Sequence, residues 1–406
     1  MNGMRGADLR RVVIVGGSLA GLSAAKGLRQ AGYEGAIIVV GREPDPPYKR
    51  PPLSKQLLVG LEPPGGRWLR VEPELNVDFR LGTAAVGLNL GAREVSCADG
   101  SRIPFDGLVI ATGADPVNPW RDSRLTGVRA LRTLADCAAV GMGLRTARSV
   151  AVVGAGFIGA EVAAAARKLS VPATLIDVLP TPHAQVLGQV FGEACAALHV
   201  EHGTSLRMSA AVVGLEADAR SGAVVGVRLD SGEAVEADLV VVGIGVRPAT
   251  AWLQGSGVAL DNGVVCDATC AVLDESGAVV EGVTAAGDVA RWHNPIYDEV
   301  MRVEHWDNAS AQGRAAGRRL LGMTEPYELL PYFWSDQYDA KIQVVGAGRP
   351  EDDIALAEGD ISQRRFVLTY ARGGRVVGAA AMNMPQRVSH YRLQMIQGRT
   401  IHERVH

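Results

Sequence analysis

The sequence predicts an α/β protein with two Rossmann-like dinucleotide-binding domains and a smaller α+β domain at the C-terminus. Three observations carry this. A strand–glycine-turn–helix–strand plan opens the chain, a second copy starts at Val150, and the pattern gives way to β-forming runs from about Pro326.

The first copy begins at Val12–Val15, a continuous apolar run of strand length. Gly16, Gly17, Ser18, Leu19, Ala20 and Gly21 form its turn, and Leu19, Leu22, Ala25 and Leu28 then fall at helical spacing. Ile37–Val40 reads as the returning strand. Pro44, Pro46, Pro47, Pro51 and Pro52 make the next stretch a rigid, irregular loop. Leu108–Ala111 is another apolar strand, ending at Thr112 and Gly113. In the second copy, Val150–Val153 is a strand, Gly154–Gly159 a turn, and Ile158, Val162, Ala165 and Leu169 a helical face. Ala173–Ile176 returns, and Leu239–Val242 ends at Gly243 and Gly245. Near the C-terminus, Gln343–Val345, Phe366–Tyr370 and Val376–Val377 read as strands.

Bulk properties suit this plan. At roughly 150 residues per domain, 406 residues predict two or three domains. Hydrophobic residues make up 47% and charged residues 21%, enough apolar material for a real core. A net charge of −3 argues against a nucleic-acid binder, so any charged partner must meet a local patch. Cys97, Cys137, Cys195, Cys266 and Cys270 show no CxxC spacing, and no metal-site spacing appears. They read as reduced, mostly buried thiols of a cytoplasmic protein. Arg5, Arg10 and Arg11 before Val12–Val15 imitate a signal peptide. The run is too short and passes straight into glycines, so it reads as a buried strand. No apolar stretch approaches the roughly 18 residues of a membrane span.

The second turn is the cleaner. Gly154, Gly156 and Gly159, with Phe157 and Ile158 between them, complete GxGxxG between strand and helix. The first glycine permits the tight turn, the second lets a pyrophosphate approach, and the third lets helix and strand pack closely. The phosphates then meet the free N–H groups at the helix start. Asp177 ends the next strand, where a carboxylate can accept bonds from both adenosine ribose hydroxyls. It would repel a 2′-phosphate by about 4 kcal/mol at an effective dielectric of about 20. No Arg follows it in Val178–His183, which favours NADH over NADPH. The plain alternative is a solvated strand-end aspartate. The first turn departs at its middle position, where Ser18 stands for glycine. Arg42 sits near the expected acid and Glu43 follows it, so Glu43 is either the ribose partner or a solvated side chain.

Pro47-Tyr48-Lys49-Arg50-Pro51-Pro52-Leu53-Ser54-Lys55 resembles the flavin-loop signature of NADH-dependent, FAD-containing ferredoxin reductases, the group of putidaredoxin and rubredoxin reductases. These serve cytochrome P450 and aromatic-ring dioxygenase systems. Ala111-Thr112-Gly113, Ala286-Gly287-Asp288 with Val289, Val303-Glu304-His305-Trp306 and Tyr332-Phe333-Trp334-Ser335-Asp336-Gln337 match in the family order. The resemblance implies a glutathione-reductase-like fold. FAD-binding segments 1–118 and 248–325 would flank an NADH-binding domain at 119–247, with a C-terminal domain at 326–406.

It also implies roles. Asp288 would bond the FAD ribityl chain, cap a helix, or both. Arg50, Pro52 and Lys55 would line the flavin, and Lys55 would pair with Glu161 near flavin N5. Trp334 would wall off the flavin; as a bland alternative it is a core residue. FAD would convert the electron pair of NADH into single electrons. No redox cysteine pair accompanies Pro47–Lys55, which disfavours a dithiol relay. Arg314, Arg318 and Arg319, near Arg302, form a basic stretch for an acidic [2Fe–2S] ferredoxin, with Arg314 at a position the family uses for docking, or a solvated helix face. Two other readings share the architecture: an NADH oxidase or small-acceptor reductase, and an apoptosis-inducing-factor-like flavoprotein switched by NADH.

Overall fold

The computed structural model describes residues 9–397, so Arg5 lies outside them. The chain forms two compact units. One gathers the chain up to Lys49, Arg67–Asp115 and Arg247–Pro331; the other gathers Arg50–Gly66, Pro116–Val246 and the chain from Tyr332 onward.

In the first unit the glycine turn follows the middle strand of the five-strand parallel stretch of a nine-stranded sheet. Its parallel part runs in the order Val77–Leu81, Ala36–Gly41, Arg11–Val15, Gly107–Ile110, Val279–Ala285. Val12, Val13 and Ile14 are fully buried, as a parallel strand covered on both faces requires. The chain steps from Arg11–Val15 to one neighbour through helix Leu19–Gln30, and the opposite neighbour, Gly107–Ile110, comes later. The turn after Val15 therefore sits at the switch point of strand order, where open α/β sheets bind ligands. Helix Trp306–Leu320 packs on Leu19–Gln30 at close range. A Cβ at Gly313 would stand 2.4 Å from Ala20 O, and one at Gly27 would stand 2.5 Å from Arg314 O.

The second unit repeats the plan in a five-stranded parallel sheet. Its order is Ser205–Arg207, Ala173–Ile176, Val150–Val153, Leu239–Val242, Val128–Ala130. Helix Phe157–Lys168 follows the turn, with Leu169 as its C-cap. Tyr332–Gln337 opens a five-stranded antiparallel sheet that also contains Ala340–Gly346, Arg365–Arg372 and Arg375–Met382. Helices Leu134–Thr146 and Ala184–Glu201 went unread in the sequence. The first starts with a capping box between Thr133 and Asp136. The second is broken internally at Gly188, which has non-helical dihedrals.

Candidate active site

The second glycine turn has the shape of a phosphate cradle. Gly154 adopts a φ of 104°, and a Cβ there would lie 2.3 Å from Gly243 O. A Cβ at Gly159 would lie 1.9 Å from Gly154 O, so only glycine lets the helix start this close to the strand. Gly156 is different: it is exposed, and nothing lies within 4 Å of where its Cβ would stand. It is also the N-cap of Phe157–Lys168 and carries no capping side chain. The helix amides therefore open onto space that an anion can enter. Asp177 is held rigidly at the strand end. One carboxylate oxygen accepts from Ala155 N at 2.5 Å and the other from Leu179 N at 2.9 Å. It is not a loosely solvated aspartate: it ties the turn to the strand and has lone pairs left for hydroxyl donors.

One turn into the same helix, Glu161 enters a buried polar cluster. Its Oε2 lies 2.7 Å from Lys55 Nζ, with the two side chains 10% and 2% exposed, Lys55 first. Ser54 Oγ donates to the same Oε2, and Ser335 Oγ donates to Oε1 at 2.6 Å. Three donors thus converge on one carboxylate. Lys55 also donates to Pro51 O at 3.2 Å. Its place is fixed by the 3₁₀ turn Pro51–Ser54, whose prolines preset φ. Arg50 Nη1 anchors this loop on Arg132 O at 2.7 Å. Cys137 Sγ reaches Leu53 O at 3.2 Å from helix Leu134–Thr146. The fold therefore brings one cysteine to the loop, but none of the five forms a disulfide and all are buried.

The first unit carries the other cradle. Gly16, at φ 128°, would place a Cβ 2.0 Å from Ala111 O, and Gly21 would place one 2.0 Å from Gly16 O. Ser18 is the N-cap of Leu19–Gln30, yet its side chain makes no capping bond. Its hydroxyl remains available at the turn. Glu43 lies past the strand Ala36–Gly41 and accepts from Tyr48 Oη. Asp288 belongs to a 3₁₀ turn, Gly287–Val289, whose N-cap is Ala286. The capping alternative is thereby corrected: a strand, Ala290–Asn294, and not an α-helix, follows Asp288. Gly287 N donates to Gln312 Oε1 at 2.9 Å, and a Cβ there would press on Ala20 Cβ at 2.9 Å. Asp288 is thus delivered beside the start of the Leu19–Gln30 helix.

Residues 10–313 match the pyridine nucleotide-disulphide oxidoreductase family, and residues 332–405 match the reductase C-terminal family. The chain belongs to the pyridine nucleotide-disulphide oxidoreductases. It is 34% identical to rhodocoxin reductase of Rhodococcus erythropolis over 383 residues, covering 92% of this chain and 87% of that one. It is 36% identical over 381 residues to the ferredoxin–NAD(+) reductase component of the anthranilate 1,2-dioxygenase system of Burkholderia cepacia, covering 92% and 90%. Its fold matches putidaredoxin reductase in the covalent complex with putidaredoxin, with a TM-score of 0.89 at 32% identity, covering 96% and 93%.

As a member of this family the chain is an oxidoreductase working with FAD and NAD(H). Both cradles fit such groups, because each keeps glycine where a Cβ would strike backbone, and Gly156 leaves open the place a pyrophosphate fills. Thr112 spends its hydroxyl on Ala249 O at 2.9 Å, so it serves the turn. Gly245, at φ 103°, and Ile158 lie exposed beside the second cradle's strand and helix ends. Trp334 alternates with Ser335 along Tyr332–Gln337 and so faces away from Glu161. Its ring lies tilted 6.1 Å from Tyr332. Ser54 and Ser335 are the residues that sequence reasoning missed. Both stand inside the quoted motifs, but only the fold aims them at one carboxylate.

Two buried imidazoles flank this cluster. Burial pulls His183 down to about 3 and His199 down to about 4. His305 of the first unit is likewise pulled down to about 4, opposed by Asp288. The folded values lie below the ordinary value of about 6.5. Their contribution is therefore complete above about pH 6.5 and is lost as pH falls toward the folded values. Each imidazole is expected to remove about 1.4 kcal/mol per pH unit below that point. Calorimetry at pH 7, 6 and 5 should show a steadily falling Tm, and His199→Gln should remove part of the slope. A Tm flat across this range would contradict buried neutral imidazoles.

Proposed function

We propose that this flavoprotein is an NADH-dependent ferredoxin reductase, passing single electrons to a [2Fe–2S] ferredoxin that serves a cytochrome P450 or ring-hydroxylating dioxygenase. The supporting observation is the buried Lys55–Glu161 pair on the helix of the open dinucleotide cradle, with no cysteine pair beside it. In the overall reaction one NADH and two oxidised ferredoxins give NAD⁺, a proton and two reduced ferredoxins. FAD, when bound, supplies the conversion from an electron pair to single electrons.

The residues divide the remaining work. Gly154, Gly156, Phe157, Ile158, Gly159 and Gly245 receive the NADH pyrophosphate and its neighbours, and Asp177 takes the ribose. Gly16, Ser18, Leu19, Ala20, Gly21 and Glu43 hold the adenosine end of FAD. Ala111, Thr112, Gly113, Gly287, Asp288, Val289, His305 and Trp306 hold its middle. Arg50, Pro52, Lys55 and Trp334 border the flavin ring. Lys55 presents a fixed positive charge there, and Glu161 keeps that charge in place. We assign 1–118 and 248–325 to FAD, 119–247 to NADH, and 326–406 to the C-terminal domain. The buried free thiols support a cytoplasmic location; no helix among the described residues is long and apolar enough to cross a membrane.

Docking is assigned to the basic face of Trp306–Leu320. Arg318 is exposed there, and Arg314 is half-buried with Nη1 on Ser310 O. Arg319 is tied to Thr269 Oγ1 at 2.8 Å, which leaves it less free for a partner. Arg314→Glu should raise the apparent KM for ferredoxin several-fold, increasingly so at low salt, and leave NADH–ferricyanide turnover intact. Equal loss of both activities would remove the docking role. The function as a whole is tested by anaerobic stopped-flow. Fast bleaching by NADH but not NADPH, then reoxidation by a [2Fe–2S] ferredoxin, is expected. Bleaching that persists until oxygen or a quinone arrives would indicate a small-acceptor reductase. An NADH-dependent change in sedimentation with very slow turnover would indicate a switched flavoprotein.

A further inference from the structure

Behind Ser335 the polar cluster continues into the core. Strand Tyr332–Gln337 alternates, so Gln337 lies on the same face as Ser335. Both are fully buried. Gln337 Nε2 lies 3.1 Å from Ser335 Oγ and 3.1 Å from His183 Nε2. With the amide nitrogen facing both groups it donates to each, so His183 Nε2 accepts and its proton resides on Nδ1, an atom with no hydrogen-bond partner here. Ser335 Oγ likewise accepts from Gln337, which directs its own hydroxyl hydrogen to Glu161 Oε1. Both hydrogens of the amide are thereby used. Gln337 Oε1 makes no hydrogen bond, nor does Nε2 of buried His199.

His183 is held for this task. It sits at the N-cap of Ala184–Glu201 with a φ of 61°, a conformation costly for a non-glycine residue. Its ring stacks on Phe157 at 4.3 Å and 15°. Phe157 in turn meets Phe333 edge-on at 4.7 Å, on the same strand as Ser335 and Gln337. The imidazole is therefore clamped between the first turn of the Glu161 helix and the strand that carries the relay.

We propose that Gln337 and His183 are positioning residues for hydride transfer: a one-way donor chain, in which Gln337 donates to both His183 and Ser335 and Ser335 to Glu161, orients the Glu161 carboxylate against Lys55. This rests on the reading that the Lys55–Glu161 pair works beside the flavin. The chain has a direction because each link's donor role is dictated by the one behind it. Losing the amide frees the Ser335 hydroxyl to rotate, and Glu161 keeps only Ser54 and Lys55 as fixed donors.

The test uses the FAD-loaded protein and the variants Gln337→Met, Gln337→Glu, Ser335→Ala and Ser335→Thr. Nitrogen-15 NMR of the histidines reads the His183 tautomer, and stopped-flow reads the limiting rate of flavin reduction and the Kd for NADH. Wild type should show His183 protonated on Nδ1. Gln337→Met should give a mixed tautomer and a limiting rate about tenfold lower, with NADH Kd unchanged. Gln337→Glu should place the His183 proton on Nε2 and lower the rate at least as much. Ser335→Ala should match the loss of Gln337→Met, the double variant should add nothing, and Ser335→Thr should recover most of the rate. Additive losses, or a His183 protonated on Nε2 in wild type, would overturn the chain. If Ser335→Ala and Glu161→Gln slow reduction but Gln337→Met does not, the relay fails and the Lys55–Glu161 reading stands. If none of the three slows reduction, that reading fails as well.

Discussion

Lys55→Met is expected to cost roughly 3–5 kcal/mol of stability, because it leaves the Glu161 carboxylate buried without its cation. Two serine hydroxyls remain on the carboxylate, which keeps the loss at the lower end of that range. Flavin reduction by NADH should slow by about 100-fold, the scale of loss expected when a reacting geometry is misplaced by about an ångström. Glu161→Gln should also slow it, since Lys55 then loses its counter-charge and keeps only neutral oxygens, Pro51 O among them, as acceptors. The double variant Lys55→Met with Glu161→Gln should recover much of the stability and none of the rate. Chemical denaturation and single-turnover kinetics on the four proteins close the cycle. Recovery of rate in the double variant would reduce the pair to an ordinary ion pair.

The glycines of the second cradle should separate binding from folding. Gly156→Ala meets open space, so its stability should stay within about 1 kcal/mol of wild type, the scale of exchanging an N-cap glycine for alanine. The new methyl stands where a pyrophosphate would approach, and NADH affinity should fall at least tenfold. Gly159→Ala behaves differently. Its Cβ would overlap Gly154 O at 1.9 Å, which forces helix and strand apart. A loss of roughly 3 kcal/mol or more is expected, and NADH binding should go with it. Titration with NADH and thermal melts on both variants would check this. Unchanged NADH affinity in Gly156→Ala would place the pyrophosphate elsewhere.

The parallel strands were legible because their burial on both faces writes an unbroken apolar run, as at Val12–Val15 and Leu239–Val242. The turns were legible because glycine is forced wherever backbone meets backbone, as at Gly16, Gly21, Gly154 and Gly159. Helix Ala184–Glu201 was harder to read, since Gly188 breaks its dihedrals internally. At Asp288 the sequence also allowed a helix cap, which the strand Ala290–Asn294 behind it rules out. Only the family resemblance links Lys55 and Glu161 in the sequence, because 106 positions separate them and local pattern carries no such information.

Sequence alone therefore located the two nucleotide-binding plans and the strand-end acid Asp177, and the family resemblance pointed to the loop around Lys55. Tertiary structure decided which side chains share a carboxylate. Ser54, Ser335, Gln337 and His183 are common residue types whose motifs do not state what they touch, and three separate segments supply them. Apolar burial repeats along an element and leaves a periodic trace in sequence. A directed hydrogen-bond chain depends on where each lone pair points, and only the folded backbone fixes that.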